Sequence, residues 1–396
     1  MVADSALPMA APSSNRAMKI STRADVAPFY AMEVLKAANE KAAKGDSVLH
    51  LEVGEPGRGA PAGAIAAAHA ALDEGGIGYT EAFGLRELRA RIARYYQETH
   101  GVAVPVERIA VTTGSSGGFV LSLITAFDVG DRVALGVPCY PAYRNMFKAL
   151  GIEPVYLRTT MATRFQPTPE MLAEVGPVDG LLIASPANPT GTMLVGQPLT
   201  DIIDYCTREG VRLISDEVYH GITYEHAAET ILGRAPGGIV LNGFSKFYGM
   251  TGWRLGWMVL PEDMTAPMER VAQNLYISSN AVSQRAALAA FDCQDELRRN
   301  VEVYRRNRDL LLEALPRGGI TEMAPADGAF YIFANVSRLT NDSADFCARL
   351  LDETGVAVTP GIDFDAEQGH AFIRISFAGE TDTIRDAADR IVRWLS

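Results

Sequence analysis

Residues 238–260 read Gly-Ile-Val-Leu-Asn-Gly-Phe-Ser-Lys-Phe-Tyr-Gly-Met-Thr-Gly-Trp-Arg-Leu-Gly-Trp-Met-Val-Leu. Two short apolar, β-rich runs, Ile239 to Leu241 and Trp257 to Leu260, flank a polar loop, and each reads as a strand. The loop carries Ser245 and Lys246 and, eight residues further on, Arg254. Upstream, Ile214-Ser215-Asp216-Glu217-Val218-Tyr219 closes another such run, with Asp216 at its end and Tyr219 three residues later.

The same rhythm extends outward. Arg108 to Thr112, Arg132 to Leu135, Pro154 to Leu157, Leu181 to Ala184 and Val211 to Ser215 read as strands, separated by amphipathic segments such as Phe119 to Phe127 and Pro141 to Leu150. This alternation predicts an α/β fold, a mostly parallel sheet covered by helices. Such sheets bind ligands outside the carboxyl ends of their strands, where Asp216 and Ser245-Lys246 fall.

After residue 295 the pattern changes. Glu296, Leu297, Val301, Tyr304, Leu310 and Leu311 predict a long helix over 296 to 315. Ala329 to Phe333, a helix near Ser343 to Thr354 and a strand at Phe372 to Phe377 predict a smaller α+β unit, with a helix from Pro28 to Lys44 packed on it. The expected division is a disordered tail over 1–20, an arm and part of the small unit over 21–60, a large unit over 61–295 and a small one over 296–396.

Bulk composition excludes several functions. The chain has 396 residues, 48% hydrophobic and 21% charged, as in a soluble globular enzyme. A net charge of −12 argues against binding nucleic acid or a membrane surface. Cys139, Cys206, Cys293 and Cys347 are scattered, which fits a reducing, cytoplasmic compartment and offers no metal framework. Of the histidines only His220 and His226 are near neighbours, and no metal site is expected. No apolar run is long enough to span a bilayer. The first twenty residues lack the basic start and apolar stretch of a signal peptide, and an organelle transit peptide stays open.

Further motifs surround the opening stretch. Val111-Thr112-Thr113-Gly114-Ser115-Ser116-Gly117 follows a strand and opens a helix, so its free N–H groups suit an anion, or simply a strand-to-helix turn. Ser185-Pro186-Ala187-Asn188-Pro189-Thr190-Gly191 is turn chemistry. Phe372-Ile373-Arg374-Ile375-Ser376-Phe377 puts an arginine in an apolar strand, where an unpartnered charge is costly. It points into a site or forms a structural ion pair. Val53-Gly54-Glu55-Pro56, Gly78-Tyr79-Thr80 and Pro138-Cys139-Tyr140-Pro141 complete the set. In this order, from Gly54 to Arg374, the motifs resemble those of the class I/II aminotransferases, aspartate-aminotransferase-like enzymes of pyridoxal-phosphate fold type I.

The resemblance implies pyridoxal 5′-phosphate as cofactor and a role for each position. Lys246 holds the cofactor covalently and, once displaced, acts as general base at the substrate α-carbon. Ser115, Ser116, Gly117, Ser245 and a bidentate Arg254 hold the phosphate, unless Arg254 is a surface ion pair. Tyr79 resembles the tyrosine that reaches the phosphate of a neighbouring subunit, which implies a homodimer with shared active sites; the alternative is an ordinary buried tyrosine. Asp216 keeps the ring nitrogen protonated, although an aspartate at a strand end also serves as a cap. Tyr219 and Asn188 meet the phenolic oxygen, the latter through a cis bond before Pro189. Tyr140 stacks on the ring, or is a core aromatic. Arg374, with Asn188 and the backbone at Gly54, takes the substrate α-carboxylate. Gly57-Arg58 stand where an Asp and an aromatic are frequent, which leaves the shape of that loop open.

The expected function is ping-pong transamination between an L-amino acid and a 2-oxo acid. The same scaffold also carries β- or γ-elimination and decarboxylation. A non-catalytic sensor would want room for a DNA-binding module before residue 25. A nicotinamide oxidoreductase would want a G-x-G-x-x-G opening a helix, whereas Gly54 to Gly59 is interrupted by Pro56.

Overall fold

The computed structural model describes residues 18–396. Its central sheet has seven strands in the order Ile109–Thr112, Gly256–Val259, Ile239–Gly243, Arg212–Asp216, Gly180–Ala184, Arg132–Val137 and Glu153–Arg158. Gly256–Val259 runs against both neighbours, and the other pairs are parallel. Successive strand residues face opposite sides, and here both sides are apolar. Leu213, Val240 and Trp257 enter one core with Leu88, Ile92 and Phe291. Ile214, Leu241 and Met258 enter another with Leu123 and Phe147. That double burial is why these strands read as continuous apolar runs.

The α/β expectation holds element by element. Helices Pro141–Leu150 and Ser343–Thr354 have the expected bounds, and the long helix spans Gln294–Ala314. The helix expected from Phe119 starts earlier, over Gly114–Ala126. Its glycine- and serine-rich first turn is weak by propensity but docks on the sheet. A Cβ on Gly256 would lie 2.7 Å from the Ser115 nitrogen, so the close approach requires glycine there.

A second, four-stranded antiparallel sheet has the order Thr359–Pro360, Phe372–Ser376, Tyr331–Asn335 and Glu322–Met323. It builds its own core from Tyr331, Ile332, Leu350, Ile373, Ile375 and Ile391. Val218, Tyr219 and Ile222 join this core although they follow the central strand that ends at Asp216. Asp216 thus stands where the two cores meet. The N-terminal helix, Tyr30–Ala42, packs Ala38 against Leu351 and Ala357, the association expected for the stretch Pro28 to Lys44. Most of the tail expected over 1–20 lies outside the described residues. No helix among the described residues is long and apolar enough to cross a membrane.

Candidate active site

The carboxyl ends of Arg212–Asp216 and Ile239–Gly243 open on a cavity of about 400 Å³ walled by residues of both cores. Lys246 is half-buried in it, and its Nζ donates to the Gly54 carbonyl at 2.5 Å. Burial, then the Arg374 guanidinium, push the Lys246 amine down to about 8, against the pull of Glu55 and Asp216. A Cβ on Gly54 would overlap the Tyr331 hydroxyl, so this approach requires glycine.

Asp216 is buried, and Val218 N donates to its Oδ1 at 3.0 Å while the Tyr143 hydroxyl donates to Oδ2. Burial raises its carboxyl to about 6, and those two hydrogen bonds and the Lys246 charge keep it from rising further. The cap-like turn and the exposure to the cavity therefore hold together. Tyr219 meets Tyr331 hydroxyl to hydroxyl at 2.6 Å. Tyr140 lines the cavity edge-on to Tyr143, with ring centres 5.4 Å apart. The Asn188-Pro189 bond is cis, as are Ser185-Pro186 and Val137-Pro138.

Arg374 is 3% exposed. Its Nη1 donates to Asn188 Oδ1 at 3.0 Å, and its Nη2 donates to Thr359 Oγ1 at 3.2 Å and to the Glu52 carbonyl. The guanidinium lies 4.6 Å from the Tyr331 ring centre and 4.8 Å from that of Phe364. It makes no ion pair with a carboxylate among the described residues, and its buried Nε has no partner. Every direct contact is neutral and no carboxylate is paired with the guanidinium among the described residues, so the structural-ion-pair alternative fails.

At another end of the cavity stand Ser115, Ser116, Ser245 and Arg254. Thr113 caps the helix Gly114–Ala126 without a side-chain bond, leaving first-turn N–H groups to a ligand. Gly114 has φ +74°, and a Cβ there would lie 2.7 Å from Arg254 Nη2. Arg254 donates to the Thr251 carbonyl at 2.9 Å and forms no ion pair among the described residues, so it is not the surface pair considered above. Gly117 lies one turn position deeper, outside the cavity wall, where a Cβ would overlap the Thr113 hydroxyl. Tyr79 is also outside the wall and is 83% exposed, which rules out the ordinary buried tyrosine. The loop left open at Gly57-Arg58 turns Arg58 onto Glu380, at 3.3 Å, while Gly57 packs on the Ala378 carbonyl.

The sequence model of the family described as aminotransferase class I and II matches residues 46–391. The chain belongs to that family. It is 47% identical to the valine–pyruvate aminotransferase of Mycobacterium tuberculosis, over 95% of this chain and 98% of the relative. Its fold is similar to the crystal structure of an aminotransferase from Mycobacterium tuberculosis, with a TM-score of 0.94, 46% identity and coverage of 96% and 99% of the two chains. The aspartate aminotransferase of Thermus thermophilus with maleate aligns at a TM-score of 0.89 and 30% identity, over 95% and 99%. The chain is a transaminase of the pyridoxal-phosphate type.

Several residues of the aminotransferase's cavity escape the reading of the sequence. Tyr143 bonds Asp216, and its signal was its place in the first turn of the helix that Tyr140 precedes. Tyr331 touches both Tyr219 and Arg374, yet its strand looks like plain core. Phe29, Met32, Asp363 and Phe364 also line the cavity, and no local motif marks them.

Proposed function

We propose that this aminotransferase binds pyridoxal 5′-phosphate in the cavity and there moves amino groups between an L-amino acid and a 2-oxo acid. The observation that carries the reading is Arg374, a buried guanidinium with neutral partners and an unpartnered Nε on the same cavity as Lys246. A guanidinium without a paired carboxylate favours an arriving anion, and a carboxylate offers two parallel acceptors. The cofactor fits the residues present. The uncapped helix start beside Arg254 suits a phosphate, the depressed amine of Lys246 suits an aldehyde, and the buried carboxylate of Asp216 suits a protonated ring nitrogen.

Lys246 Nζ would hold the cofactor. Ser115, Ser116, Ser245 and Arg254 would hold its phosphate, with Tyr79 contributed by a second subunit. Asp216 would face its ring nitrogen, Tyr219 and Asn188 its phenolic oxygen, and Tyr140 its ring face. When bound, the group supplies an electron sink for the carbon next to the amine. The chain's own residues do the rest. Arg374, Asn188 and the Gly54 backbone orient the substrate α-carboxylate. Lys246, a buried amine that burial holds below its ordinary value, would take the proton from the substrate α-carbon. Tyr143 holds the Asp216 carboxylate in place. The relative's name makes L-valine and pyruvate the first donor and acceptor to test.

The same proposal includes a homodimer with shared sites, a cytoplasmic location in keeping with four free cysteines, and the division into units at residues 60 and 295, supported by the two separate cores. Borohydride reduction of protein loaded with pyridoxal phosphate, followed by peptide mass analysis, tests the central claim. Label on the peptide containing Lys246 is the expected result, and label on another lysine refutes the assignment. A Lys246→Ala protein should retain the cofactor noncovalently and lose about 10² to 10⁴-fold in rate.

A further inference from the structure

Part of the cavity wall comes from a segment that the roles above leave unused. Phe29, Ala31 and Met32 line it, next to Tyr140, Phe364 and Asp363. Phe29, the N-cap of the helix Tyr30–Ala42, has no side-chain oxygen to cap it. The cap comes instead from far along the chain. Tyr30 N donates to Asp363 Oδ1 at 3.1 Å, and Ala31 N donates to Asp363 Oδ2 at 3.2 Å. The residues leading into the helix are fastened to the helix Pro141–Leu150: Asn145 Nδ2 donates to the Ala27 carbonyl at 3.1 Å, and Lys148 pairs with Asp25 at 3.1 Å. The Phe29 ring centre lies 5.9 Å from that of Tyr140.

The charges in the cavity are few. Its cations are Lys246, Arg254 and Arg374, all three assigned to the cofactor and the α-carboxylate. Among the described residues of this chain, no further cation lines it. Among the described residues its other carboxylate besides Asp216 is Asp363, 1% exposed and bonded to the start of the helix Tyr30–Ala42. Burial raises the Asp363 carboxyl, while the two amide donors and the Arg374 and Arg144 guanidiniums favour its ionised form.

We propose that Asp363 determines substrate specificity: its carboxylate fixes Phe29 to Met32 as an apolar wall and repels a second carboxylate, so the site takes amino acids with neutral, apolar side chains and rejects dicarboxylic ones. The inference rests on the transamination reading. A wall of Phe29, Met32 and Phe364 rewards apolar surface on the substrate. A fixed anion in a partly desolvated site penalises a like charge, which is specificity by repulsion as much as by fit.

The test is the first half-reaction of the cofactor-loaded enzyme, followed by absorbance, with L-alanine, L-valine, L-leucine, L-aspartate and L-glutamate. Wild-type kcat/KM should favour valine and leucine over aspartate and glutamate by about 10²-fold. In Asp363→Asn that ratio should narrow by about tenfold, chiefly through a lower KM for the dicarboxylic donors, because the charge is gone while one amide acceptor remains. In Phe29→Ala and Met32→Ala the leucine-to-alanine ratio should fall by about tenfold through KM, with kcat for alanine kept. These two variants carry the test if Asp363→Asn does not fold. A wild-type preference for aspartate, or variants that lower all donors equally, overturns the proposal and leaves transamination standing. Conversion of no amino acid at all overturns both.

Discussion

Burying Asp216 costs the cofactor-free protein stability, and the sign of the effect fixes its pH window. The folded-state carboxyl titrates at about 6 against an ordinary 3.8, so between those values the folded form binds more protons than the unfolded one. Stability therefore falls as pH rises through that window, and the full cost, about 3 kcal/mol, is present above it. Asp216→Asn removes the charge, keeps an oxygen for Val218 N and leaves the Tyr143 hydroxyl an amide to accept from. The cofactor-free variant should be more stable than wild type by up to about 3 kcal/mol at pH 7, with the gain vanishing near pH 4. Denaturant midpoints at the two pH values check this, and a difference that ignores pH would refute it. The same variant should lose transaminase activity, the expected conflict between stability and a functional charge. Arg374 gives the complementary case. Arg374→Lys keeps the charge but loses the fork, so amino acid and 2-oxo acid substrates should weaken together by about 1.5 to 3 kcal/mol. Unchanged affinity for every carboxylate substrate, with a lowered melting temperature, would return Arg374 to a structural role.

At the scale of elements, the start of the helix Gly114–Ala126 carries a sharp prediction. Gly114→Ala forces a side chain into a left-handed conformation, at about 1 to 2 kcal/mol, and pushes against the flexible end of Arg254. Affinity for pyridoxal phosphate should fall by about tenfold or more, whereas binding of pyridoxal, which lacks the phosphate, should change little. Equal losses for both would mean that the cradle does not hold the phosphate. This element also shows what a sequence tells and withholds. Asp216 and Ser245-Lys246 were legible because apolar runs end at them, and the sheet places both run ends on one cavity. The motif Val111 to Gly117 reads as opening a helix, but the amphipathic pattern places the segment only from Phe119, because contact with Gly256 overrides the poor helix propensity of the glycines and serines before it. Tyr143, Tyr331 and Asp363 act through partners 73, 112 and more than 300 residues away, and such pairings have no local signature.

At the scale of the whole molecule, two segments expose apolar residues that the proposed homodimer would cover. Ile77 and Tyr79 are 47% and 83% exposed, and Leu275, Tyr276 and Ile277 are 51%, 37% and 50% exposed. Thr80 N donates to Ser278 Oγ at 3.4 Å and Gln284 Nε2 to Thr80 Oγ1 at 3.2 Å, which holds the two segments side by side. Adjacent exposed apolar side chains of this kind mark interaction surfaces. In a two-fold dimer each such patch meets its counterpart, so a residue that crosses into the partner's site does so twice. The proposed homodimer therefore makes a prediction that a contact between independent sites does not. Lys246→Ala protein is mixed with Tyr79→Phe protein under conditions of subunit exchange. If Tyr79 serves the partner's site, each mixed dimer has one site with both lesions and one with neither. Half the dimers are mixed at random assortment, and half their sites are intact, so about a quarter of wild-type sites return. If Tyr79 serves its own chain's site, every site keeps a lesion, and if it serves none, mixing repairs nothing; in both cases activity never exceeds that of the Tyr79→Phe parent. Recovery above both parents is the expected outcome, and a monomer active at assay concentration, or exchange without recovery, would rule out the shared site.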